Sequence, residues 1–95
     1  MIIATVTFES ELTEQEAFQI AEERLPMFKK IPGLLQKYYV KTAQPNFYSG
    51  VYIWDSMESL KTFRESELAK TIPAAYRVKG APNVVVGEIF TVLRD

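Results

Sequence analysis

The chain has 95 residues, 47% hydrophobic and 24% charged, which suits one ordinary globular domain spanning 1–95. Eleven basic against twelve acidic residues give a net charge of −1, a poor electrostatic footprint for nucleic acid. Histidine and cysteine are both absent. That removes the commonest general base, the commonest metal ligand, thiol chemistry and disulfides, so no metal or cofactor is expected, and any catalysis must rest on carboxylate, Tyr, Lys, Arg or the substrate itself.

Met1–Val6 alternates like a strand and lacks the basic start of a signal peptide, which makes the cytoplasm the expected location. No apolar run approaches the roughly 18 residues of a membrane span. Ile2 to Glu9 reads as the first strand, with Ile2, Ala4, Val6 and Phe8 on one face and Ile3, Thr5, Thr7 and Glu9 on the other. Thr13-Glu14-Gln15-Glu16 is a capping box. The first helix then runs to about Phe28 on an apolar stripe of Ala17, Phe18, Ala21, Leu25 and Phe28, with Pro26 disturbing its last turn. Lys29-Lys30 and Lys37/Lys41 read as solvated surface.

Ile31-Pro32-Gly33 turns the chain into a second strand, Leu34 to Thr42. Its faces are both mixed, Leu34, Gln36, Tyr38, Val40 and Thr42 against Leu35, Lys37, Tyr39, Lys41 and Ala43, which fits an edge strand guarded by lysine. Gln44-Pro45-Asn46 is turn chemistry, and Gly50 to Trp54 is the third strand. Asp55 or Ser56 caps the second helix, whose stripe is Met57, Leu60, Phe63 and Leu68. From Ala69 the pattern decays: Pro73 interrupts it, Ala74–Arg77 offers a short extra turn, and Gly80-Ala81-Pro82 reads as a loop. Asn83 to Leu93 is the predicted last strand.

The order β-α-β-β-α-β is the ferredoxin-like, α+β pattern with a four-stranded antiparallel sheet. Such a sheet carries helices on one face only, yet apolar residues here occupy both. A second copy is the simplest cover, so a homodimer packed through the open sheet face is predicted.

Ile31-Pro32-Gly33-Leu34, Gly50-Val51-Tyr52-Ile53-Trp54-Asp55, Ser56-Met57-Glu58-Ser59-Leu60 and Asn83-Val84-Val85-Val86 resemble the YdhR-like monooxygenases of the dimeric α/β-barrel superfamily, which includes the antibiotic-biosynthesis monooxygenases. The resemblance covers nearly the whole chain and mostly encodes fold. It implies two protomers whose sheets close into a barrel, and a pocket in each between sheet and helices. In the cofactor-independent, quinone-forming members the third-strand Trp points into that pocket, an Asn precedes it by four residues, and an Arg follows the second helix. Trp54 matches the Trp, Gly50 stands where the Asn would be, and Arg77 or Arg64 can supply the Arg. The haem-degrading branch needs a His on the second helix and an Asn on the first strand; this chain has no His and offers Thr5 and Thr7.

The candidate substrate-binding set is Trp54, Tyr52, Gly50, Tyr38, Leu60 and Phe63, and the candidate catalytic set is Arg77, Tyr76 and Glu88. Each residue has a plainer reading. Trp54 and Tyr52 either stack on a flat ligand or fill core. Tyr38 or Tyr39 reaches the dimer interface. Arg77 either stabilises an anion developing on the substrate or lies along the second helix at the surface. Glu88, in an apolar strand face, is either a base with a raised pKa or a rim carboxylate. Two functions follow: oxygenation of a small aromatic or polycyclic phenol without metal, flavin or haem, or binding of such a molecule by a dimer that performs no chemistry. A structural dimerisation module is a third, weaker reading.

Overall fold

The computed structural model describes all 95 residues, Met1–Asp95. The elements are β1 (Ile2–Ser10), α1 (Glu14–Lys29), β2 (Leu34–Lys41), β3 (Phe47–Trp54), α2 (Met57–Arg64), α3 (Glu67–Ala75) and β4 (Val78–Glu88). The four strands form one antiparallel sheet in the order β2-β3-β1-β4. This is the α+β, ferredoxin-like arrangement, with β2 at an edge as its lysines suggest. No helix is long and apolar enough to cross a membrane.

Local chemistry sets the element ends. At the start of α1 the Glu16 N–H donates to Thr13 Oγ1 (3.2 Å) and the Thr13 N–H donates to Glu16 Oε1 (2.9 Å), which satisfies two of the helix's orphan donors reciprocally. Pro26 falls late enough that the helix runs through it to Lys29. The Ile31-Pro32-Gly33 corner depends on glycine twice over. Gly33 has φ +82°, and a Cβ there would collide with the Ser59 side chain at the start of α2. Its carbonyl accepts from the Asp55 N–H at 2.9 Å, tying the entry of β2 to the exit of β3.

Three expectations are corrected. The second helix is two helices. Ser66 donates to the Phe63 carbonyl at 2.6 Å and accepts from the Ala69 N–H at 3.2 Å, so one hydroxyl ends α2 and caps α3. The apolar pattern after Ala69 is therefore helix through Ala75, with Pro73 carried in its last turn. The last strand is Val78–Glu88, not Asn83–Leu93. Thr7 pairs with Asn83 and Glu9 with Lys79, so Gly80-Ala81-Pro82 bulges opposite Phe8 inside the strand. Gly80 supplies φ +70°, and Pro82 sits where the ladder needs no N–H. Finally, Leu35 is an extra residue in β2: Leu34 pairs with Trp54 and Gln36 with Ile53. Leu34 thus turns toward the helices, away from the face it was expected to share with Gln36, Tyr38 and Val40.

The helix-facing side packs as two clusters. Ile2, Ala4, Phe28, Tyr52, Trp54, Leu60 and Phe63 form the larger. Leu12, Ala17 and Tyr76 form the smaller, and Ile72 packs against both. Buried Ser10 anchors the second cluster: its hydroxyl donates to the Tyr76 carbonyl at 2.5 Å and accepts from the Leu12 N–H at 3.0 Å.

Candidate functional site

A cavity of about 870 Å³ lies between the sheet and the helices, taking its walls from both clusters. Of its 27 lining residues, 18 are hydrophobic, so it suits a largely apolar ligand. β1 provides Ala4, Val6 and Phe8, and β4 provides Pro82, Val84 and Val86. These side chains share one face because Val6 pairs with Gly50 and Val84, and Ala4 with Tyr52 and Val86.

The sequence candidates divide sharply. Tyr52, Trp54, Gly50, Leu60, Phe63 and Tyr76 come together at the cavity. Trp54 is 0% exposed and stacks parallel behind Tyr52, with ring centroids 6.1 Å apart and 5° between planes. Its indole N–H lacks a hydrogen-bond partner. Phe63 tilts against both rings, at 5.7 Å and 5.3 Å. Tyr76 is buried and its hydroxyl also lacks a partner. Three candidates lie elsewhere. Tyr38 pairs with Val51 on the opposite sheet face and is 55% exposed. Arg77 occupies a left-handed position (φ 47°) just before β4, its carbonyl accepting from the Glu11 N–H and its side chain exposed. Glu88 ends β4 in an exposed position outside the lining.

Lys37 is the residue that sequence reasoning missed, having been assigned to solvated surface. Its partner across the ladder is Tyr52, so it faces the helices. Its Nζ lies 3.6 Å from the centroid of Phe28, 4.3 Å from Tyr39 and 4.5 Å from Tyr52. The ion pairs of the molecule are Lys41–Glu14, Lys70–Glu67 and Lys79–Glu9, so no carboxylate answers it. Burial without a counterion, helped by the charge of Arg24, pulls Lys37 from 10.5 down to about 7. Gly50 makes room for it: a Cβ there would sit 3.1 Å from the Tyr52 ring and 3.4 Å from Lys37 Cε. The available signal was the alternation itself, which puts Lys37 and Tyr39 on one face of a strand paired with Tyr52 and Gly50.

The tyrosines respond in the opposite sense. Burial pushes Tyr39 from 10.0 up to about 12 and also raises Tyr52 and Tyr76, while Arg24 pulls all three back. Arg24 on α1 donates through Nη2 to Thr71 Oγ1 at 2.8 Å, and its Nε is buried without a partner. The site is therefore an apolar chamber with a buried amine at Lys37 and the Arg24 guanidinium nearby, neither paired with a carboxylate, an arrangement that favours an anionic ligand. No group of three or more Asp or Glu side chains is placed to hold a metal ion.

No family model matches the chain, and neither does any curated protein. Solved structures do match its fold. The cofactor-independent oxygenase SnoaB of Streptomyces nogalater superposes with a TM-score of 0.78 at 11% identity, covering 99% of this chain and 97% of that one. The monooxygenase from the gene ActVA-Orf6 of Streptomyces coelicolor, solved with the ligand nanaomycin D, gives 0.73 at 16% identity, covering 99% and 91%. A protein from Deinococcus radiodurans named for the antibiotic biosynthesis monooxygenases gives 0.75 at 17% identity, covering 100% and 98%. The chain shares the ferredoxin-like fold of these proteins.

Proposed function

We propose that the protein is a cofactor-independent monooxygenase that oxidises a polycyclic phenol or quinol-type aromatic at a free ring carbon para to a hydroxyl, giving a quinone. The observation that carries this reading is the 870 Å³ cavity, large enough for a fused-ring molecule, walled by stacked aromatics and biased toward an anion. Two structural neighbours, named as a cofactor-independent oxygenase and as a monooxygenase with bound nanaomycin D, support it. The chemistry suits a chain without His or Cys, because the substrate carries the reactivity. A phenolate gives an electron to dioxygen, and the pair combines at the ring carbon para to the oxide. Loss of water from the resulting hydroperoxide leaves the quinone, so one phenol and one O₂ give one quinone and one H₂O. The protein's part is to exclude water, hold the rings between Tyr52, Leu60 and Phe63, and stabilise the anion.

The working unit in this reading is a homodimer through the open sheet face. Tyr38, Val40 and Val85 are exposed there, and Phe90 and Leu93 beyond β4 are 93% and 88% exposed. Exposed apolar side chains of this kind are what a second copy would cover. A binding dimer without turnover is the second reading, favoured by the positions of Arg77 and Glu88 outside the cavity. The deciding experiment is a titration of purified, metal-free protein with polycyclic phenols and hydroquinones, following Trp54 fluorescence and oxygen uptake together. Saturable quenching with protein-dependent uptake is expected. Quenching without uptake assigns a binding protein, and no quenching across the panel removes the substrate class.

A further inference from the structure

We infer that Lys37 is the proton acceptor of the cavity: its amine takes the hydroxyl proton of a bound phenol and the resulting ammonium then holds the phenolate. The inference rests on the phenol reading above and names the group that prepares the substrate, a role that neither Arg77 nor Glu88 can fill from outside the cavity. The O–H bond of the ligand breaks, an N–H bond forms on Nζ, and the pair remains as phenolate and ammonium with no net change in protons.

Four observations converge on this residue. Lys37 lines the cavity. Its Nζ rests against the ring faces of Phe28, Tyr39 and Tyr52 rather than a carboxylate, so the ammonium, once formed, is held by cation–π attraction and still needs an anion. Its stem passes beside Gly50, where a Cβ would crowd the Tyr52 ring at 3.1 Å and touch Lys37 Cε at 3.4 Å. Arg24, behind it on α1, disfavours the protonated amine before the ligand arrives and favours a phenolate afterwards. The other groups around the chamber do not compete for the proton. On α1, Glu14 is held by Lys41 of β2 at 3.0 Å. The tyrosines facing in, Tyr39 and Tyr52 from the strands and Tyr76 from the end of α3, are kept protonated by burial. Tyr48 of β3 donates to the Leu12 carbonyl at 3.2 Å. Arg64 of α2 is a permanent cation at the exposed rim. The cavity residues of β1 and β4 are not titratable.

The test uses 2-naphthol as the probe dye, a fused-ring phenol whose neutral and ionised forms absorb differently in the near ultraviolet, at a mildly alkaline pH where the free dye is still largely neutral. Wild type is expected to bind it as the phenolate. Calorimetry in buffers of different ionisation enthalpy is expected to show no proton released, because Lys37 keeps it. Lys37→Met is expected to bind the dye in its neutral form and about tenfold to a hundredfold more weakly. Lys37→Arg, which keeps the cation but has no free amine, is expected to bind the phenolate while releasing about one proton to the buffer. The inference is overturned if wild type releases a proton as Lys37→Arg does, since Lys37 is then a standing cation. It is also overturned if Lys37→Met binds the phenolate as tightly as wild type. The expected colour and proton balance without oxygen uptake leave the inference standing and remove only the oxygenase reading.

Discussion

The two strands that flank β1 meet it in matching register and have opposite fates. Ile2 faces Trp54 on one side and Glu88 on the other; Ala4 faces Tyr52 and Val86; Val6 faces Gly50 and Val84. On β3 the inward residues Gly50, Tyr52 and Trp54 are all buried, whereas β4 from Lys79 to Glu88 is exposed throughout. From Ile2 to Val6 the pairing is equivalent, so the difference there comes from the second layer. Leu60 and Phe63 of α2 close over β3, and nothing comparable closes over β4. Hydrogen-bonded pairing fixes where a strand lies, but helix cover decides which side chains become core. The cavity occupies the boundary between the closed half and the open half, and Lys37 faces it from the closed side.

The contrast should appear first as stability. Trp54→Ala removes a wholly buried indole and is expected to cost about 3–5 kcal/mol, lowering the thermal midpoint by at least about 12 °C for a chain of this size. Glu88→Ala, at the matching position of β4, is expected to stay within about 0.5 kcal/mol of wild type. Similar losses for the two variants in thermal unfolding would mean that β4 is covered in solution to the same degree as β3. The open half is tested next by Val85→Lys, which puts a charge on the outer face where Val85 is 59% exposed and pairs with Thr5. Light scattering is expected to show two chains for wild type and one for the variant. A wild type that runs as one chain sinks the homodimer.

The closed half was the more legible in the sequence, for a physical reason. Capping boxes, the Pro-Gly corner and two-residue alternation are local, so β1, α1 and the Tyr52/Trp54 face of β3 could be read from neighbouring residues alone. The errors fall where one distant contact overrides a local pattern. Ser66 splits a helix through a single bridging hydroxyl. The Gly80-Ala81-Pro82 bulge resembles a loop until β1 is laid beside it. Leu35 breaks the face assignment of β2 because only β3 defines which residue is extra. The site candidates depend on the same distant contacts. Arg77, in the irregular segment after the second helix, is a candidate for stabilising an anion; the Glu11 N–H binds its carbonyl and its side chain is exposed outside the cavity lining. Lys37, which reads as solvated surface, turns inward because its ladder partner is Tyr52, and only the fold reveals that no carboxylate answers it.

The smallest effect reads the boundary itself. Unfolded, Lys37 titrates near its ordinary 10.5; folded, it is held at about 7. Between those values the unfolded chain carries the additional proton, so stability rises with pH across the window, and the full penalty is present below it. Tyr39 acts in reverse: its folded value of about 12 lies above the ordinary 10.0, so its contribution is lost as pH climbs past about 10. Tyr52 and Tyr76 shift the same way, so for these four groups the rising limb gives way to a falling one above about pH 10. Lys37→Met is expected to remove the rising limb. At pH 6 the variant is expected to unfold at a higher temperature than wild type, and the gain should shrink to nothing by about pH 10.5. Tyr39→Phe should soften only the alkaline fall. Parallel curves for wild type and Lys37→Met from pH 7 to 10 would show that water reaches the amine. In that case the closed half ends before Lys37, and the chamber is a wet cleft whose cation titrates like any surface lysine.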